Sequence, residues 1–159
     1  MALELKLQLD GLGEVNSHLN PHVVAELLKN ALGDIALAME SEARHEGPFK
    51  TGNLRRNITR TGVERTAAGN FHVSVGVQRT APYGVWVHEG TGLYGHRHSN
   101  IKATGGNALH FVHGGQALFR RSVRGQRANP FMRRAFVNVN TTYVPARLEK
   151  LKREIGGTA

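Results

Sequence analysis

Leu3, Leu5, Leu7 and Leu9 alternate with Glu4, Lys6 and Gln8, the period of two that gives a β-strand one apolar face. Gly11 and Gly13 break the pattern. The period then changes: Val23, Val24, Leu27, Leu28, Ala31, Leu32, Ile35 and Met39 recur at helical spacing. Asn20 is placed to cap this run and Pro21 suits a first helical turn, so the pattern predicts a helix from about residue 21 to residue 45. Its apolar stripe is broad enough for a core helix. Glu40, Glu42 and Glu46 crowd the C-terminal end, where the helix dipole disfavours negative charge, and this calls for basic partners in the same subunit or the next.

Gly47-Pro48 stops that helix, and Thr51 can cap a short second one in which Leu54 and Ile58 share a face while Arg55 and Arg56 point away from it. Thr59 to Arg65 and Phe71 to Val77 read as a hairpin, with Phe71, Val73, Val75 and Val77 alternating against His72, Ser74 and Gly76. Pro82 can start a helical turn that groups Tyr83, Trp86 and Val87. Val85 and Val87 also alternate as in a strand, but a short helix ending at Gly90 is the preferred reading.

From Gly90 to Ala128 the chain carries eight glycines, many basic residues and short apolar groups such as Leu109, Phe111 and Val112, then Leu118 and Phe119. That mix predicts a long extended arm or β-hairpin, not another packed layer. Asn129-Pro130 can open a last helix with Phe131, Ala135, Phe136 and Val139 on one side, continued or kinked at Pro145 into Leu148, Leu151 and Ile155. The fold class expected is α+β: a small antiparallel sheet packed by an N-terminal amphipathic helix and a C-terminal helix. One domain spans residues 1–159, with the arm at 90–128.

Composition changes this picture in two ways. There is no cysteine, so disulfides, thiolate zinc sites and cysteine nucleophiles are excluded. The formal charge of +9 is concentrated: between Gly90 and Leu148 stand Arg97, Lys102, Arg120, Arg121, Arg124, Arg127, Arg133, Arg134 and Arg147, with no Asp or Glu. A segment of one sign repels itself and attracts nucleic acid or an acidic protein surface, and arginine favours partners that accept two hydrogen bonds, such as phosphate or carboxylate. The start of the chain interleaves charges with its leucines, unlike a signal peptide, and no stretch reaches the roughly 20 apolar residues of a membrane span. A soluble protein made and used in a cytoplasm is expected.

Three segments carry a resemblance to a known family. They are Thr51-Gly52-Asn53-Leu54-Arg55-Arg56-Asn57-Ile58, then Tyr83-Gly84-Val85-Trp86-Val87-His88-Glu89-Gly90-Thr91-Gly92, and finally Phe119-Arg120-Arg121-Ser122-Val123-Arg124-Gly125-Gln126 running into Asn129-Pro130-Phe131-Met132-Arg133-Arg134-Ala135-Phe136. In this order, over about residues 50 to 136, they resemble the tailed-bacteriophage neck proteins described as tail-completion, minor tail or head-to-tail joining proteins. Asn57 stands where that family usually has Ser, and the stretch from His96 to His113 is richer in histidine than its pattern.

The resemblance implies a virion structural protein, not an enzyme. Such a protein would form a homo-oligomeric ring, six-fold or twelve-fold, at the head-to-tail junction and be assembled in the host cytoplasm. Its partners would be neighbouring connector and tail-terminator or tail-tube proteins, with DNA passing through the lumen and no membrane. Arg97, Lys102, Arg120, Arg121, Arg124 and Arg127 are the expected contacts to other subunits or to DNA; Gly90, Gly92 and Pro130 are the expected hinges.

Other chemistry is weakly supported. His96-x-His98 and His110-x-x-His113 offer four imidazoles, but without carboxylate or thiolate ligands they read as solvated or interface histidines, and no metal or cofactor is expected. No serine lies in a nucleophile elbow and no glycine-rich run leads into Lys-Ser or Lys-Thr. His88-Glu89 could form an acid–base pair, yet Glu89 fits better as the partner of an arginine or as a turn cap. The rival reading is a basic nucleic-acid-binding module, suggested by Tyr94, Phe111 and Phe119 spaced through the basic stretch.

Overall fold

Asn20 accepts a hydrogen bond from the His22 amide at 3.0 Å and Pro21 occupies the first turn of helix α1, Pro21–Glu46. The structure, a computed structural model, describes residues 4–9, 20–67 and 69–156; Leu3 and the break at Gly11 and Gly13 lie outside them. The elements are α+β in class: β1 Glu4–Leu9, α1, α2 Asn53–Arg56, β2 Ile58–Arg60, β3 Glu64–Arg65, β4 Phe71–Val77, α3 Gly84–Glu89, β5 Ile101–Lys102, β6 Leu109–His113, β7 Gln116–Arg120, β8 Ser122–Val123 and α4 Phe131–Gly156. No described helix is long and apolar enough to cross a membrane. The chain divides into two compact units, residues 1–81 with 131–159, and residues 82–130.

In the first unit β4 is the central strand. It pairs antiparallel with β1 along one edge and with β2 and β3 along the other. Phe71, Val73, Ser74, Val75 and Val77 are buried on it, and α1 lies across this sheet. The strand expected over 59–65 is broken. Ile58↔Val77 and Arg60↔Val75 are in one register and Glu64↔His72 in another, so residues 61–63 oppose only 73 and 74. This is a bulge, and Thr61 stabilises it: its amide donates to the Ser74 carbonyl at 2.8 Å and its hydroxyl accepts from the Ser74 amide at 3.0 Å.

Helix α1 buries Val24, Leu28, Ala31, Leu32, Ile35, Ala36, Met39 and Ala43, while Val23, at the margin of the predicted stripe, is left exposed. Leu28→Ala and Ile35→Ala are each expected to cost about 2–5 kcal/mol, measured by denaturant unfolding; a loss below about 0.5 kcal/mol would place these side chains outside the core.

Helix α4 runs along α1, and the order of their polar contacts sets the direction. Arg134 meets Glu46 at 2.5 Å, Asn138 donates to Glu42 at 2.8 Å, and Arg147 donates to Asp34 at 2.8 Å. Numbers rise along one helix as they fall along the other, so the pair is antiparallel. Pro145 lies inside α4 without ending it; both Pro145 and Thr141, whose carbonyl it leaves without a helical donor, are exposed to water.

Arg147 is buried, and Asp34 and Glu154 both accept from it. Burial opposes its charge, but those hydrogen bonds and the two negative charges outweigh burial and hold its pKa above the ordinary arginine value. Two of the three acids crowding the end of α1 find cations in the same chain, Glu40 with Arg44 and Arg60 and Glu46 with Arg134, while Glu42 accepts from Asn138.

The turn after α1 uses arginine differently from the expectation. Arg55, instead of pointing away, turns back on the helix end and donates to the Gly47 and His45 carbonyls at 2.8 and 3.2 Å. The last carbonyls of a helix lack intrahelical donors, which is what draws the guanidinium there. It also lies over the exposed Phe49 ring. Gly52, in the left-handed conformation, holds the cap position of α2, and Thr51 contributes only a long hydrogen bond of 3.4 Å to the Asn53 amide. Asn57 donates to the Asn53 carbonyl at 2.7 Å and accepts from the Thr80 hydroxyl, fastening the end of α2 to the chain that leaves β4.

Candidate functional site

The unit of residues 82–130 contains all six basic residues expected to touch partners, and its geometry starts at a stem. Helix α3 ends where the Gly90 amide donates to the Trp86 carbonyl at 2.9 Å and the chain turns at φ +80°. The outgoing and returning strands are then tied together. Thr91 donates its amide to the Gln126 carbonyl and accepts the Gln126 amide on its hydroxyl, both at 2.9 Å. Leu93 donates to the Arg124 carbonyl at 2.7 Å, and Asn129 donates to the Val87 carbonyl at 2.9 Å. The arm expected at 90–128 is thus part of a unit that begins at Pro82, because α3 and Asn129 belong to its stem.

Gly90, Gly92, Gly95 and Gly125 at this crossing have no room for a side chain, Gly92 and Gly125 least of all. A Cβ on Gly92, at φ +61°, would stand 2.5 Å from the Arg124 carbonyl oxygen; one on Gly125, at φ +89°, would stand 2.2 Å from that of Thr91. Gly90 and Gly92 adopt the positive φ expected of hinges. Pro130 precedes the first helical residue of α4, Phe131, which is fully buried.

Beyond the stem β5 pairs with β8, and β6 pairs with β7 through a turn in which Gly114 and Gly115 have φ of +58° and +81°, the signature of a two-residue hairpin turn. Six residues, 103–108, loop out opposite Arg121 alone, so the two ladders are separate. Register assigns the faces of the tip. Leu109, Phe111 and Leu118 share one face and are half-buried; His110, Val112, Ala117 and Phe119 share the other and are exposed, with Phe119 at 61%. His110 and Phe119 stack at 4.8 Å between ring centres.

Arg97, Lys102, Arg120, Arg121, Arg124 and Arg127 are all exposed, and none pairs with a carboxylate among the described residues. Arg120 donates to its neighbour's carbonyl and Arg127 lies 5.5 Å from the centre of the Tyr94 ring. Glu89 is the one acid of this unit, against six Arg and Lys, a formal +5. Its carboxylate lies 3.1 Å from His96.

The acids behave in the opposite way. Glu26, Asp34, Glu40, Glu46, Glu64, Glu89, Glu149 and Glu154 each meet a basic side chain, and Glu42 accepts from Asn138. Every carboxylate within residues 20–156 therefore has a partner inside the chain. Arg133, Arg134 and Arg147, though part of the acid-free stretch of sequence, belong to α4, and two of them serve α1. Sequence separation of about 90 to 110 residues hid those pairs, since only antiparallel packing of α1 and α4 brings them together.

Two other groupings compete poorly as sites. Glu42, His45 and Glu46 place ligand atoms within 4.8 Å of one another, but Arg134 already holds the Glu46 carboxylate. Arg44, His45, Arg55 and Arg56 line an open concavity in which Arg44 is engaged by Glu40 and Arg55 by backbone carbonyls. Comparison of the chain with models of known protein families, with curated proteins and with solved structures finds no match.

Proposed function

We propose that the chain is a structural virion protein of a tailed bacteriophage, a tail-completion or neck component that forms a ring at the head-to-tail junction and has no catalytic role. The observation that supports this reading most is the relation between two of the segments behind the resemblance. Tyr83–Gly92 and Phe119–Gln126 are far apart in sequence, yet Thr91 and Gln126 are bonded to each other, so these two segments meet at one stem. Repeated subunits would multiply weak contacts of the 82–130 units into a stable assembly, since linked sites raise effective concentration without any single tight interface. Neighbouring connector and tail-terminator or tail-tube proteins are the partners of this reading.

Charge reversal tests it. Arg121→Glu with Arg124→Glu is expected to leave the far-UV circular dichroism spectrum unchanged, because both side chains are exposed, and to impair assembly. Sedimentation and negative-stain imaging of the purified protein give the readout. A wild-type chain that remains monomeric at high concentration and with phage neck components, or a variant that assembles and joins heads to tails normally, would defeat the proposal.

A second reading, a basic nucleic-acid-binding module, is favoured by one observation. The carboxylates within residues 20–156 each have a partner in the chain, whereas the six cations of residues 82–130 have no carboxylate among the described residues.

A further inference from the structure

We infer that the 82–130 unit binds single-stranded nucleic acid, with phosphates on its arginines and a base stacked on the exposed His110–Phe119 pair. This deepens the second reading and does not require the ring. Charge argues first. A unit of formal +5 repels copies of itself and attracts a polyanion.

The exposed rings then select the kind of polyanion. A lone two-stranded hairpin is marginal in water, and this one leaves His110, Val112, Ala117 and Phe119 uncovered. Arg120, paired with Leu109, lies on the opposite face of the hairpin from Phe119; Arg121 follows it, and Arg124 and Arg127 continue the returning chain toward the stem. Arginines along a chain path beside an open aromatic face are the two requirements for holding a strand whose bases are unstacked. In a duplex the base faces are covered by their neighbours, and stacking on Phe119 would contribute nothing.

The test uses the full chain and three probes in fluorescence anisotropy: a labelled oligothymidylate of about 30 nucleotides, long enough to exceed the usual site size, a duplex of equal length, and poly-L-glutamate as competitor. The single strand should bind more tightly than the duplex. Its affinity should fall log-linearly with salt, with a slope approaching about −4 if all six cations engage. Phe119→Ala should weaken single-strand binding about tenfold or more and leave duplex binding unchanged. Replacing Arg120, Arg121, Arg124 and Arg127 together by Ser should flatten the salt slope, with circular dichroism confirming that the helices persist.

Equal affinity for both nucleic acids with no effect of Phe119→Ala would overturn the inference in favour of unspecific charge attraction. Stronger binding of poly-L-glutamate at matched charge would overturn it in favour of an acidic protein partner, and absence of binding would overturn it outright. A monomeric protein that binds the single strand removes the ring and leaves this inference standing; an assembled ring that ignores the single strand does the reverse.

Discussion

Phe131→Ala should lower stability by about 3–5 kcal/mol, which for a chain of this length corresponds to a fall in Tm of about 6–20 °C. Among the described residues Phe131 is the largest side chain with no exposure at all, and it begins α4 where Met132, Ala135 and Val139 are also buried. Truncation leaves a cavity that the surrounding helices, fixed by the Arg134–Glu46 and Arg147–Asp34 contacts, can close only in part. Phe119→Ala supplies the contrast. The same chemical change at a ring 61% exposed should stay within about 0.5 kcal/mol. Thermal unfolding of the two variants side by side decides the matter, and equal losses would mean that α4 is not seated as described.

The second large effect is local. Gly125→Ala is expected to open the stem of the 82–130 unit while α1 and α4 stay folded. Two costs combine: a non-glycine residue at φ +89° loses about 1–3 kcal/mol, and its Cβ would sit 2.2 Å from the Thr91 carbonyl oxygen, a backbone atom that cannot rotate aside. Gly105→Ala separates them, because Gly105 has φ +78° and nothing within 4 Å of its Cβ position, so only the conformational cost applies. Amide hydrogen exchange reads the result. Protection at Thr91, Leu93, Gln126 and Asn129 should drop sharply in Gly125→Ala and much less in Gly105→Ala, with the amides of α1 unchanged. Retained protection at those four amides would show that the stem tolerates the methyl group.

Much of the fold was legible because it follows from local rules. The apolar period of α1, its Asn20 cap and Pro21, the alternation along Phe71–Val77 and the helix ending at Gly90 all depend on residues within one or two turns of each other. The stops were readable for the same reason. Where the reading diverged, a side-chain contact or a long-range pair had intervened. Thr61 took over an amide of β4 and split one expected strand into two, and Arg55 was drawn back to the carbonyls at the end of α1.

The candidate site divides along the same line. Arginine content, the acid-free stretch and the glycine-rich character of residues 90–128 were properties of the sequence, and so were the positions that needed positive φ. Which cations were free was not. Nine basic residues looked equivalent in a list of charges, and only the antiparallel seating of α4 on α1 withdrew Arg134 and Arg147 from that set by pairing them with Glu46 and Asp34. Composition and periodicity report the neighbours of a residue along the chain, so they determined the helices, the strands and the sign of the charge. Pairing across about 90 to 110 residues depends on how two helices pack, and the tertiary structure alone decided which charges were spent internally and which were left facing water.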